Sequence, residues 1–138
     1  MHARERKSCG RGHMILLDTS ALIEIADGSE KGKKIKQFLE KSTESYGTTT
    51  FSVHELLLPT SGEEQEMLKK LLAGFALFSF DYESALESVR LEAQMAKTGE
   101  ILSKIDLFIA SICKVRKASF ITLDSDFLRV PELQVINV

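Results

Sequence analysis

Four consecutive apolar residues, Met14-Ile15-Leu16-Leu17, run straight into Asp18-Thr19-Ser20, after which apolar positions recur every three or four residues. This pattern predicts a strand covered on both faces that opens directly into a helix. That helix is expected over 19–26, with Leu22, Ile23 and Ala26 inward, and Asp27-Gly28-Ser29 closes it. A second follows over 30–42 with Ile35, Phe38 and Leu39 as its apolar stripe and lysines opposite. Tyr46-Gly47-Thr48-Thr49 marks a short strand at 45–49, and a helix at 52–58 is limited by Pro59. Met67, Leu68, Leu71, Leu72 and Phe75 then outline a helix over 63–75.

The second half repeats the alternation. Residues 75–80 read as a strand. A long helix over 82–97 has Leu86, Val89, Ala93 and Ala96 facing in, and Gly99 ends it. The cleanest period of all, Ile105, Phe108, Ile109, Ile112 and Cys113, predicts a helix over 104–117. A strand at 119–123, a tight turn or short helix at 124–128 and a last strand at 134–138 complete the chain, which has no internal repeat. Strands separated by one or two helices imply an α/β fold in three layers, a parallel sheet with right-handed crossovers and helices on both faces.

Composition sharpens this picture. With 138 residues, 43% of them hydrophobic, the chain suits one cored domain. It has neither a membrane-length apolar run nor the apolar core of a secretory signal, so a cytoplasmic location is expected. Cys9 and Cys113 lie far apart without metal-ligand spacing, which fits a reducing compartment. Residues 1–13 stand apart, with four basic side chains, one acid and no apolar period, and are expected to form a disordered extension to a domain at 14–138. Without them Lys+Arg falls from 18 to 14 and Asp+Glu from 20 to 19, taking the formal net charge from −2 to −5. The folded part is mildly acidic, which excludes nucleic-acid binding by bulk positive charge.

Four acids stand where elements begin: Asp18, Glu55, Asp106 and Asp124. Each alone is explained by helix capping, Asp18 and Asp124 as N-caps, Ser52-x-x-Glu55 and Ser103-x-x-Asp106 as capping boxes. The set says more than its members. A parallel sheet sends every strand's carboxyl end, and the amino end of the helix that follows, to one edge, where such sheets bind ligands. Asp18 and Asp124 follow strands directly, Glu55 by a short loop, and Asp106 requires its helix to start at that edge. Two carboxylates 4 Å apart repel by roughly 4 kcal/mol at an effective dielectric near 20. Helix amino ends offset only about 0.3–1 kcal/mol each. Convergence therefore calls for Mg²⁺ or Mn²⁺, hard ions that take oxygen ligands and suit phosphodiester hydrolysis.

LLDTSAL at 16–22, SVHELL at 52–57, KIDLFIAS at 104–111 and ITLDSDF at 121–127 resemble, in order and spacing, the four acidic motifs of the PIN domain, most closely the small VapC-like toxins. The similarity runs from about Met14 to the end. It implies a five-stranded parallel sheet in the order 3-2-1-4-5 and a Mg²⁺- or Mn²⁺-dependent endoribonuclease acting on RNA. By the same resemblance Asp18, Glu55, Asp106 and Asp124 are the acidic metal-site residues, Asp126 is a further or substitute ligand, and Thr19, Ser20 and Thr122 are supporting hydroxyls. It also implies a homodimer and, in toxin members, a small antitoxin that blocks the site. PIN domains also occur in RNA processing and as non-catalytic partner-binding scaffolds.

Two other classes fit less well. A haloacid-dehalogenase-type phosphohydrolase places a second Asp two residues after the first, where this chain has Ser20. A receiver-type phosphoacceptor needs a lysine after its last strand, where this chain has Val135-Ile136-Asn137-Val138. His54 reads as an exposed bystander and Cys113 as core. Lys97, Lys104, Arg116 and Arg129 are candidate phosphate contacts, each weighed against ordinary surface charge.

Overall fold

The computed structural model describes residues 13–138. The extension expected at 1–13 lies outside the described residues except for His13, and Cys9 lies outside them too.

The apolar run at Met14–Leu17 is β1, the central strand, buried along its whole length. Alternation splits it: Met14 and Leu16 enter one core, Ile15 and Leu17 the other. Around it stand β2 (Ser45–Thr49), β3 (Ala76–Phe78), β4 (Ser119–Ile121) and β5 (Gln134–Val135), all parallel, in the order β3-β2-β1-β4-β5. This is the expected 3-2-1-4-5 order. One face is covered by α1 (Thr19–Asp27), α2 (Glu30–Lys41), α3 (Thr50–Leu57) and α4 (Gly62–Leu72), which supply Leu22, Ile35, Leu56 and Leu72 to its core. The other is covered by α5 (Tyr82–Lys97), α6 (Lys104–Val115) and a short 3₁₀ turn, Ser125–Arg129. Leu16 is fully buried, so its truncation to Ala is expected to cost about 2–5 kcal/mol.

Local signals explain most boundaries. Gly28 ends α1 in the left-handed conformation (φ 67°), and Ser29 caps α2 through Gly32 N–H. Gly32 has no room for a side chain, because a Cβ would stand 1.9 Å from Glu24 O, and this close approach lets α2 fold back on α1.

Several expectations are corrected. The stripe expected to face inward on α5 points outward: Leu86 is 50% and Val89 70% exposed, and Ala93 and Ala96 are exposed as well. The buried stripe is Ser84, Ser88, Leu91 and Met95, whose two serines allow close packing against α6. The helix has two apolar stripes, and periodicity alone does not tell which meets the core. On α1, Ile23 and Ala26 are exposed while Ala21 and Leu22 are buried. Met67 is exposed, and α4 ends at Leu72 so that Phe75 can enter the core ahead of β3. On α6, Ile105 turns outward and the helix stops at Val115. The strands expected over 75–80, 119–123 and 134–138 are shorter than foreseen, because each gives way to a loop at the sheet's rim.

Ion pairs fix the sense of the α5–α6 hairpin. Lys104 pairs with Glu92, Lys114 with Glu87 and Arg116 with Asp81, so the two helices run antiparallel. α5 thus carries the chain up to the rim, and α6 starts there.

Candidate functional site

Asp18 leaves β1 and caps α1, its Oδ1 accepting from Ala21 N–H at 3.1 Å and from Ser20 Oγ at 2.6 Å. Its Oδ2 accepts from Thr122 Oγ1 at 2.5 Å. Asp18 is 5% exposed, and Asp18 N–H donates to Ile121 O at 3.2 Å, which ties the ends of β1 and β4 together. Ser20 Oγ in turn accepts from Leu123 N–H (2.9 Å), and Thr122 Oγ1 accepts from Asp124 N–H (3.0 Å). One relay of hydroxyls therefore holds both strand exits.

Glu55 arrives differently. The capping box expected at Ser52 does not form: α3 begins one turn earlier, capped by Thr49, which accepts from Ser52 N–H at 3.2 Å. Glu55 is left on the second turn, free of capping, and accepts from Thr19 Oγ1 at 2.6 Å across 36 positions of chain. The capping explanation thus fails for Glu55. For Asp106 it holds by half, Ser103 Oγ accepting from Asp106 N–H at 3.2 Å. Phe51 of α3, Phe80 of the β3–α5 loop and Phe108 of α6 stack together, with Phe80–Phe108 centroids 4.4 Å and Phe51–Phe108 centroids 5.9 Å apart. This aromatic wedge docks the start of α6 beside α3, which is how Asp106 reaches the rim without a strand directly before it.

Asp124 caps the 3₁₀ turn through Asp126 N–H (2.9 Å). Oxygens of Asp106, Asp124 and Asp126 all lie within 4.8 Å of one another. Asp18 and Glu55 stand outside that trio but within its field. Burial raises the Asp106 carboxyl above its ordinary pKa, against a hydrogen bond from Ser103 that lowers it, and the charges of Asp124, Glu55 and Asp18 add to the rise. Asp18 is raised chiefly by burial, with Asp124 adding to the rise against the hydroxyl hydrogen bonds. All the acids singled out in the sequence therefore share one rim.

The donor set suits a hard divalent cation. The trio presents only carboxylate oxygens, already close enough to repel, and the sulfur nearest in sequence, Cys113, is buried with its thiol pushed up to about 12 by burial. His54 is exposed, as expected. Among the described residues one cation is in ion-pair contact with the acids: Arg129 Nη2 stands 3.4 Å from Asp126 Oδ1, and Nη1 stands 3.1 Å from Glu100. Sequence reasoning counted Arg129 only among candidate phosphate contacts; its i,i+3 spacing from Asp126 was the available signal. It missed the Thr49 cap, for which the β-branched run ending β2 was the clue. Lys104 and Arg116 are paired with Glu92 and Asp81.

A family model of the PIN domain matches residues 15–133. The chain belongs to the PIN domain family. PIN domains are nucleases. No curated protein sequence matches the chain. Solved structures with this fold include VapBC2 from Rickettsia felis bound to a DNA fragment from its promoter, with a TM-score of 0.76 at 20% identity over 91% of this chain and 98% of that one. VapBC-1 from nontypeable Haemophilus influenzae has a TM-score of 0.77 at 19% identity over 90% and 97%. FitAcB from Neisseria gonorrhoeae has 0.73 at 23% identity over 90% and 97%. No described helix of this PIN domain is long and apolar enough to cross a membrane.

Proposed function

We propose that this PIN domain is a Mg²⁺- or Mn²⁺-dependent endoribonuclease, the toxin of a toxin–antitoxin pair. The observation that carries the reading is the meeting of Asp106, Asp124 and Asp126 at the carboxyl rim of the sheet, inside a field that Asp18 and Glu55 share. Asp106 and Asp124, with Asp126, are the residues that would hold the ion, and Asp18 and Glu55 complete the acidic ring. A divalent ion bound there supplies Lewis acidity toward a phosphoryl oxygen and lowers the pKa of a bound water. The chain's own part is orientation. Ser20 and Thr122 fix both oxygens of Asp18, Thr19 aims Glu55, and the Asp124 cap holds the 3₁₀ turn against the rim.

The likeness to VapBC structures supports a partner protein for this chain. An apolar groove of about 330 Å³ between α1, α2 and α4, lined in part by Ile25, Leu39, Leu68 and Phe75, offers such a partner a surface. The outward stripe of α5, with Leu86 and Val89, supports association of two copies, since an exposed apolar stripe on an otherwise well-packed helix calls for cover.

The test is cleavage of single-stranded RNA by the purified chain, with EDTA, then Mn²⁺ or Mg²⁺. Cleavage that needs the ion and disappears in Asp106→Asn supports the reading; undiminished cleavage in chelator sinks it.

A further inference from the structure

A second cavity borders the acidic rim. It measures about 350 Å³ and opens between the β4–3₁₀ loop and the end of the chain beyond β5, sharing Thr122 and Asp124 with the site just described. Its walls are Leu123, Leu128, Val135 and Ile136, and its rim carries Ser125 and Asn137. Leu128 is 68% and Leu123 43% exposed, so neither is spent on the core. Leu123 is nonetheless held firmly, its N–H bonded to Ser20 Oγ. The Ser125 hydroxyl and the Asn137 amide have no hydrogen-bond partner among the described residues. β5 makes this opening by pairing with β4 over only two residues, after which Ile136 N–H reaches Phe120 O and the chain departs.

We propose that this groove receives the nucleobase next to the scissile phosphate and sets which base is tolerated there; the assignment rests on the ribonuclease reading above. Charge disfavours a phosphate as occupant, since among the described residues no Lys, Arg or His lines the groove and Asp124 does. A base fits the lining: its faces are apolar, to lie against Leu123 and Leu128, and its edge bears donors and acceptors that an Asn amide can match in pairs. The volume lies at the small end of ligand pockets, which suits one nucleotide rather than a drug-sized ligand. Position agrees as well. A base is one sugar away from its phosphate, and the groove begins at a carboxylate of the cluster.

The experiment digests a random-sequence single-stranded RNA pool with the full chain in Mn²⁺ and maps the cut ends by sequencing, for wild type, Leu128→Ala and Asn137→Ala. Both side chains are exposed, and circular dichroism checks that the variants fold. The expected result is a wild-type base preference at one position flanking the cut that flattens in both variants. KM rises by roughly tenfold in Leu128→Ala, while the Mn²⁺-induced rise in melting temperature is retained. Identical preferences in all three proteins overturn the proposal, as does a wild type that cuts the pool with no base preference. If wild type leaves the pool uncut, it is the ribonuclease reading that fails.

Discussion

Thr122 Oγ1 donates to Asp18 Oδ2 at 2.5 Å, joining the exits of β4 and β1 across 104 positions of chain. Thr122→Val removes this donor and the acceptor of Asp124 N–H at nearly the same volume. Cleavage is expected to fall by about 10–100-fold, and the loss of a hydrogen bond to a buried carboxylate to destabilise by about 1.5–3 kcal/mol. Thr122→Ser should recover most of both. Kinetics and urea melts of the two variants decide it; full activity in the Val variant would refute the relay.

Asp106→Asn separates catalysis from folding. Because burial and three neighbouring carboxylates oppose its charge, the neutral side chain should leave the urea midpoint in EDTA at pH 8 equal to or above that of wild type, while RNA cleavage is lost. A lower midpoint would return Asp106 to a capping role.

The raised pKa of Asp18 gives a signed pH dependence. The folded state holds the proton more tightly than the unfolded chain, so the stability this group contributes is fully present below its ordinary value of 3.8 and lost as pH rises through the elevated folded value. In chelator, the stability of wild type relative to Asp18→Asn should therefore decline with rising pH across that window. Urea melts in steps from pH 3.5 upward measure it, and a flat or rising difference contradicts the burial argument.

Mn²⁺ should reverse the penalty by linkage. At a hundredfold excess over its dissociation constant, a ligand of the native state adds about 2.7 kcal/mol, read as a rise in melting temperature. Asp124→Asn should reduce that rise more than Asp126→Asn, because Arg129 already shares the Asp126 charge at 3.4 Å. Equal effects would make the two carboxylates equivalent.

The outward face of α5 makes a separate prediction. Wild type should elute as a dimer, and Val89→Glu, at a 70% exposed position, should elute as a monomer with an unchanged circular dichroism spectrum. A wild-type monomer at micromolar concentration would leave the stripe uncovered and the dimer unsupported.

Much of the fold was legible because its signals are local. The β1 run is apolar throughout since both sheet faces are covered, Gly28 adopts a positive φ that side chains resist, and Ser103 caps its helix. Where two local signals competed, reading failed. Ser52 and Glu55 match a capping box as well as Thr49 matches a cap, and in the fold it is Thr49, the last residue of β2, that caps the helix. Leu86 and Val89 repeat as regularly as Leu91 and Met95, and only the packing of α6 selects the second pair.

The chain by itself determined the class of fold, the strand count and the placing of Asp18, Asp106 and Asp124 at element starts, because these follow from hydrophobic period and capping chemistry between near neighbours. Tertiary structure decided what those acids face. Bringing Asp106 to Asp124 needs the antiparallel return of α5 and the Phe51–Phe80–Phe108 wedge, and freeing Glu55 for Thr19 needs α3 to begin a turn early. Such contacts join residues distant in sequence, and their energy depends on where separate elements come to rest.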